Sequence, residues 1–317
     1  MRLLFVCVTW ISVIGQGCAE EIKIGVRPDA KPFSYCKDSS CASSLESYDG
    51  YSVSICKDIL DDMRIRNPSM GVRVVKVTAG DRLLALDHNQ VDFLCGADTI
   101  TEERLNKYAF SFPIYVTGIS IASRRQDSEN RGCEPGAKRP AVVGMVGNTT
   151  AQSDGIDLML RAGEFGQFEQ VVRQAKDNFS DGKAKCSDGN GGGPDVEIIK
   201  TYSDHDTGLR AFCNGDVKYY IADREILLFA RQCDDIILSD RTYSYDEYGL
   251  VFRKPSVGTP RDYWLFAEIS YSLQKLAWGT RSIILQSVLS NMNNYRLSPE
   301  LEQFFRSVTG GAVPGHP

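Results

Sequence analysis

The sequence predicts an α/β fold of two domains. Strand and helix patterns alternate through roughly the first ninety residues after position 20, and a second alternation of the same kind starts at Ala141. The length, 317 residues, suits two domains of ordinary size.

Glu21 to Arg27 alternates apolar and polar residues as a first strand does, and Pro28 ends it. A loop holding Pro32, Phe33, Tyr35, Cys36 and Cys41 follows. From Gly50 to Leu60, the residues Val53, Cys56, Ile59 and Leu60 share one helical face, and this helix closes before Asn67-Pro68. Val72 to Val77 reads as a second strand and Asp81 to His88 as a short helix with Leu83, Leu84 and Leu86. The apolar run Val91, Phe93, Leu94, Cys95 has the length of a buried third strand, after which Gly96 lets the backbone turn. Ligand sites in such sheets lie at the carboxyl ends of strands, where Arg27 and Gly96 to Thr99 fall.

Thr99 and Glu102 are spaced as in a capping box, and Thr101 is an alternative N-cap. Backbone N–H groups and hydroxyls thus gather at one strand end, an arrangement that binds anions. Arg104, one turn into the helix, can offer its planar fork to a carboxylate there. The competing reading is a capped helix with a solvated arginine.

Gly118 to Ser123 is the next apolar strand, and the polar stretch Gln126 to Pro140 is a loop. The second unit then runs through a strand Ala141 to Val146, the turn Gly147-Asn148-Thr149-Thr150 and helical stretches from Ala151 to about Phe179. Ser180 to Pro194, with Gly191-Gly192-Gly193, is a surface insertion. It continues through strand Val196 to Lys200, helix Asp206 to Asn214, strand Lys218 to Ala222, helix Arg224 to Gln232 and strand Ile236 to Leu238. A strand Gly249 to Arg253 precedes a mainly helical stretch, Asp262 to Phe305, in which Trp264, Phe266, Ile269, Leu273 and Leu276 are spaced as a core-facing stripe.

The composition, 42% hydrophobic and 24% charged, is that of a globular chain, and its net charge of -5 gives no general attraction to nucleic acid or anionic lipid. Residues 1–19 read as a signal peptide, with the apolar run Leu3 to Ile14 and a cut after Ala19, so the mature chain is expected in the periplasm. A lipid anchor at Cys18 is the alternative. Removal of this segment takes away Arg2 and no acid, leaving a charge of -6. Eight cysteines remain, and their even number in an exported chain implies disulfides among Cys36, Cys41, Cys56, Cys95, Cys133, Cys186, Cys213 and Cys233. Three scattered histidines and no zinc-like spacing point to neither a metal nor a cofactor.

The residues at this point resemble the extracellular solute-binding proteins that deliver polar amino acids to ABC transporters. The resemblance rests on Ile24-Gly25-Val26-Arg27 with Pro32-Phe33-Ser34-Tyr35, on Gly50-Tyr51-Ser52-Val53, and on Val91 to Phe112 with its Gly-x-x-Thr-x-x-x-x-Arg core. It continues through Val146 to Thr150, Leu209 to Gly215, Tyr219 to Leu228 and Tyr248 to Arg253. Two departures are Asn148, where the family commonly has glycine, and the insertion before Val196. The resemblance implies a two-domain periplasmic-binding-protein-like (type II) fold with a ligand cleft between the domains. Domain one would hold residues 20–117 and 248–317, domain two residues 118–247, and two crossing strands would join them.

It also implies a site. Arg104 and the Thr99 hydroxyl would hold the ligand α-carboxylate, Asp223 would meet the α-ammonium, and the Thr149-Thr150 turn would close on the carboxylate. Phe33 belongs to the same ligand-binding set. A zwitterion taken out of water needs each charge paired, which this set provides. The likeness is greatest to the aspartate/glutamate-binding members, in which an arginine stands at the Arg27 position and a histidine follows an aspartate as in Asp204-His205. Arg27 would supply a second fork to a side-chain carboxylate, and His205 a hydrogen bond. The competing reading of Arg27, His205 and Asp223 is a solvated surface side chain. A monomer that works with a membrane-embedded ABC transporter permease follows from the resemblance. Disulfides are expected within domains, with Cys36–Cys41, Cys56–Cys95, Cys133–Cys186 and Cys213–Cys233 the leading pairings among several. No catalytic constellation is legible. A cyclohexadienyl (prephenate/arogenate) dehydratase on the same fold, and a binding protein for another polar amino acid, are the alternatives.

Overall fold

The computed structural model describes residues 21–38, 41–124, 141–177, 183–185, 195–229, 233, 235–254, 259–279, 281–292 and 297–311. The signal-peptide reading, Cys18, Cys133, Cys186, the loop Gln126 to Pro140 and most of the insertion before Val196 lie outside the described residues.

Two five-stranded sheets organise the molecule. In the first, Glu21–Val26 runs parallel to Gly71–Lys76 on one side and to Phe93–Leu94 on the other, and Val251–Arg253 pairs antiparallel with Phe93–Leu94 and Tyr108–Phe110. In the second, Ala141–Val146 lies between Ile199–Tyr202 and Val217–Asp223, all parallel. Ile119–Arg124 then pairs antiparallel with Val217–Asp223 and with Ile236–Leu238. The same order thus recurs in both lobes, with the first strand of each unit second from the edge, between its two parallel neighbours. Buried strands such as Ala141–Val146 carry apolar residues on both faces, because helices cover both.

The chain passes between the lobes along Tyr115–Thr117 and returns along Asp246–Tyr248, and these two segments pair antiparallel as a ribbon. Helix Tyr51–Arg66 covers the first sheet and packs against helices Pro260–Ala277 and Ile283–Asn291. Gly50 precedes it at φ 119, where a side chain would meet the Phe33 carbonyl oxygen at 2.5 Å, so this turn demands glycine. The stretch from Asp262 to Phe305 is mainly helical, as expected, and consists of three helices, the last two starting at the serine N-caps Ser282 and Ser298. The core stripe of the first is Leu265, Ile269, Leu273 and Ala277, one position off the Trp264, Phe266 and Leu276 alignment, and those three are half-buried at its edges.

Three disulfides occur among the described residues: Cys36–Cys41, Cys56–Cys95 and Cys213–Cys233, with Cα separations of 5.5, 6.5 and 5.5 Å. Each stays within one lobe. Cys56–Cys95 fastens helix Tyr51–Arg66 to the end of the central strand pair immediately before Gly96.

In the second lobe helix His205–Cys213 starts at Asp204, whose side chain accepts from the Thr207 N–H at 2.7 Å, and it lies against Tyr220 through Gly208. A Cβ at Gly208 would stand 2.7 Å from the Tyr220 ring, which is fully buried. Gly208→Ala gains up to ~1 kcal/mol of helix propensity but overpacks a rigid ring at a cost of ~1–3 kcal/mol. We expect a net loss of about 1–2 kcal/mol in urea unfolding; a variant as stable as the parent would show that the helix shifts freely on the sheet.

Candidate ligand-binding site

The carboxyl ends of the parallel strands of both sheets point at one cavity between the lobes. Arg27 follows Glu21–Val26, Arg82 opens helix Arg82–Asp87 after Gly71–Lys76, and Thr99 and Arg104 follow Phe93–Leu94. From the other lobe Thr149 and Thr150 follow Ala141–Val146, His205 follows Ile199–Tyr202, and Asp223 ends its own strand. Seven of the eight residues expected from the sequence therefore line one cavity. The eighth, Phe33, does not: it is fully buried behind the wall, edge-on to Tyr51, Tyr115 and Tyr248 at 6.3, 5.0 and 4.9 Å between ring centres. The lobes are drawn together, and the cavity leaves about 10 Å³ to the centre of a water-sized sphere. That is about the one-water limit, so a larger ligand enters only when side chains or lobes move.

Buried charges dominate the cavity. Arg27 donates through Nε and Nη2 to the two carboxylate oxygens of Asp29 at 3.0 and 2.9 Å, and both side chains are 3% exposed. Asp29 also accepts the backbone N–H of His205 at 2.9 Å, from the opposite lobe. Burial alone would raise the Asp29 carboxyl, but the charge and hydrogen bonds of Arg27, together with His205, hold it well below the usual carboxylate range. Arg82 donates Nε to Asp98 at 2.7 Å, and Nη1 to the carbonyls of Ala79 and, across the cleft at 3.3 Å, Asn148. Its pKa is lowered by burial and by the neighbouring charges of Arg27 and Arg104, against the pull of Asp98. Arg104 donates Nη1 to the Thr99 carbonyl at 2.8 Å and has no ion pair among the described residues. Its helix is capped by Thr101, whose hydroxyl accepts the Arg104 N–H at 3.2 Å, so Thr99 and Glu102 form no capping box.

Across the cleft, Asp223 accepts the Tyr248 hydroxyl on Oδ2, while Oδ1 is buried with no hydrogen-bond partner among the described residues. Burial and the nearby Glu225 raise its pKa, against that hydrogen bond. Asn148 takes up φ 58, the left-handed region that asparagine tolerates in place of glycine, which explains that departure in the threonine turn. The Thr149 hydroxyl donates to the Val146 carbonyl at 2.8 Å and braces the turn. His205 is buried, and its Nδ1 lies 3.3 Å from the Tyr220 hydroxyl. Burial and Arg27 bring its pKa down to about 4, so the ring is neutral at pH 7. With Tyr220 donating to Nδ1, Nε2–H is left as a donor.

Arg82, Asp29 and Tyr248 were not in the expected set. Arg82 and Asp29 follow parallel strands as Arg27 does, but their places in the site depend, like that of Tyr248, on partners brought in from elsewhere in the chain.

The His205 shift has a thermodynamic signature. A histidine whose folded pKa of about 4 lies below its unfolded value of about 6.5 binds fewer protons when folded, so it withdraws stability as pH falls from 6.5 to 4. Asp246, pushed up to about 6 by burial and by Asp223, has the opposite slope over part of that range. Urea unfolding of the parent and His205→Asn at pH 7, 5.5 and 4.5 separates the two. The parent should lose up to about 3 kcal/mol more than the variant over this interval, and parallel curves would show that the folded protein protonates His205 freely.

The comparisons with known proteins bear on the family and the fold. A family model described as bacterial extracellular solute-binding proteins, family 3, matches residues 22–277. The chain is 28% identical over 131 residues to the glutamate/aspartate import solute-binding protein of Salmonella typhimurium, and 27% identical over 106 residues to that of Escherichia coli. These stretches are 41% and 33% of this chain, and the chain spans the same shares of the two relatives. Among solved structures, a mutant of ArgBP from T. maritima superimposes with a TM-score of 0.57 at 17% identity, covering 86% of this chain and 96% of that one. The GluR0 ligand-binding core from Nostoc punctiforme in complex with L-glutamate superimposes at 0.55 and 15% identity, covering 85% and 98%. At such identities the likeness shows the shared type II periplasmic-binding fold. With its two sheet-containing lobes and a family match over most of its length, the chain belongs to the bacterial extracellular solute-binding proteins, family 3.

Proposed function

We propose that the protein captures an acidic amino acid, glutamate or aspartate, between its lobes and delivers it to the membrane-embedded permease of an ABC transporter. The observation that carries the reading is Asp223. One of its carboxylate oxygens is buried without a hydrogen-bond partner among the described residues, and Asp223 lines the same cavity as Arg104, which has no ion pair among them. Buried polar groups are normally satisfied, so an acceptor of this kind calls for a donor and Arg104 calls for an anion. An α-amino acid brings both: its ammonium completes Asp223, and its carboxylate completes Arg104 beside Thr99 and the Thr149-Thr150 turn. The acidic side chain is supported by Arg27, Arg82 and His205, all of which line the cavity, and by the names of the two import relatives. Arg27 keeps Nη1 and Arg82 keeps Nη2 outside the hydrogen bonds of the described residues, and the neutral His205 offers Nε2–H.

In this reading residues 20–117 with 248–317 form one domain and residues 118–247 the other. They hinge about the ribbon, and the protein acts as a monomer, exported by residues 1–19 to the periplasm. It binds its ligand without turning it over.

Calorimetric titration of the ligand-stripped protein with glutamate, aspartate, glutamine, arginine and prephenate tests the reading. Glutamate or aspartate should bind tightest. Asp223→Asn should weaken every amino acid by at least tenfold, because hydrogen bonds to charged groups are worth about 1.5–3 kcal/mol and tenfold is about 1.4. Binding of a neutral or basic amino acid alone would sink the acidic specificity, an indifferent Asp223→Asn would sink the zwitterion site, and consumption of prephenate would replace transport with enzyme chemistry.

A further inference from the structure

Arg27 comes to the cavity with a carboxylate already on it. Both Arg27 and Asp29 are almost fully buried, two hydrogen bonds join them, and Asp29 sits in the short strand Asp29–Ala30 that pairs with Ser34–Cys36, so its position is set by backbone pairing. The same carboxylate receives the His205 N–H from the other lobe. Asp29 therefore occupies, from within the chain, part of the donor set that a ligand side-chain carboxylate would use.

We propose that Asp29 is a specificity-determining residue: an intrachain carboxylate that competes with the distal carboxylate of the ligand for Arg27 and so sets the margin between acidic and neutral amino acids. The proposal rests on the amino-acid reading above. Charge counting gives its direction. Arg27 and Arg82 are each paired with an aspartate, Asp29 and Asp98, while Asp223 on the far wall has Glu225 and Asp246 beside it, so the three arginines hold no surplus over the acids around them. A dicarboxylate brings one more negative charge into that imbalance than a zwitterion with a neutral side chain does. Asparagine at position 29 removes one negative charge at Arg27 and so relieves the dicarboxylate more than the neutral ligand. In a site shielded from water such an imbalance is felt strongly, since uncompensated charge is costly there. His205, neutral at pH 7, does not alter the count. Asp29 acts through Arg27 and is a positioning residue in that sense, so the measurement must be one that a purely structural latch would leave unmoved.

That measurement is the ratio of L-glutamate to L-glutamine affinity, titrated at pH 7 on the parent and on Asp29→Asn. The ratio should rise at least tenfold in favour of glutamate in the variant, and in Asp29→Asn/Arg27→Gln it should fall back below that of the single variant. If both ligands weaken by the same factor, or glutamine gains, Asp29 is a lobe-closing contact and not a selector, and the proposal fails. Should Asp29→Asn prove too unstable to titrate, its melting midpoint with each ligand at saturation reads the same quantity. Glutamate must then raise the midpoint further above glutamine than it does in the parent, and equal rises overturn the proposal. A folded parent that binds none of glutamate, aspartate, glutamine and arginine overturns the amino-acid reading and this inference with it, whereas binding with an unchanged ratio overturns the inference alone.

Discussion

Three arginines brought into one water-poor cavity repel one another, and the rest of the site exists under that constraint. Removing a guanidinium from water costs several kcal/mol even after relaxation, so each must be answered locally. Arg27 is answered by Asp29 and Arg82 by Asp98, both within short hydrogen-bonding distance and almost fully buried. Among the described residues Arg104 has a backbone carbonyl only. The lowered pKa of Arg82, depressed by burial and by its two neighbours, records how tightly the positive charge is packed. The parallel-sheet architecture makes this crowding possible, since it delivers a residue from the carboxyl end of every strand to the same place.

The opposite wall depends on aromatic packing. Phe33, Tyr51, Tyr115 and Tyr248 form a buried cluster of edge-on and tilted rings beneath the ribbon that joins the lobes. Tyr51 donates its hydroxyl to the Ile114 carbonyl at 2.5 Å, and Tyr248 reaches Asp223 with its own. Phe33 thus serves the site at one remove, by fixing Tyr248. Its ring is too enclosed to meet anything in the cavity. Close edge-to-face packing of this kind holds side-chain direction more firmly than aliphatic contacts do.

Much of this was legible in the sequence because it is local. Strand and helix periods mark the two α/β units, and a residue just past an apolar strand is a site candidate wherever the sheet is parallel, which marks Arg27 and Thr99; Thr149, His205 and Asp223 entered the set through the family resemblance. What stayed hidden depends on partners far away in the chain. Arg82 reads as the first residue of a leucine-bearing helix until Asp98 is placed beside it. Asp29, following a proline, reads as turn chemistry until His205 arrives from 176 positions on. The strand Tyr108–Phe110 is too short to carry an alternation, and the stripe near Trp264 is core-facing at Ile269 and Leu273, while its aromatic members flank a centre made by Leu265 and Ala277, because a helix with aromatic residues on adjacent faces does not declare which one is inward.

The ribbon of Tyr115–Thr117 against Asp246–Tyr248 has one more consequence. Two crossings held together by their own hydrogen bonds keep the lobes tethered in every state, so a molecule captured by one wall does not wait for the other to arrive by diffusion. The second engagement is intramolecular, governed by an effective concentration that the tether fixes. A paired ribbon, stiffer than two loose linkers, also narrows the relative orientations the lobes can sample, which raises that concentration in the productive direction. On the proposed function, residence time is then set by how often the ribbon lets the lobes part, and changes at ribbon residues other than Tyr248, which holds Asp223, would alter release while leaving the cavity-lining side chains in place.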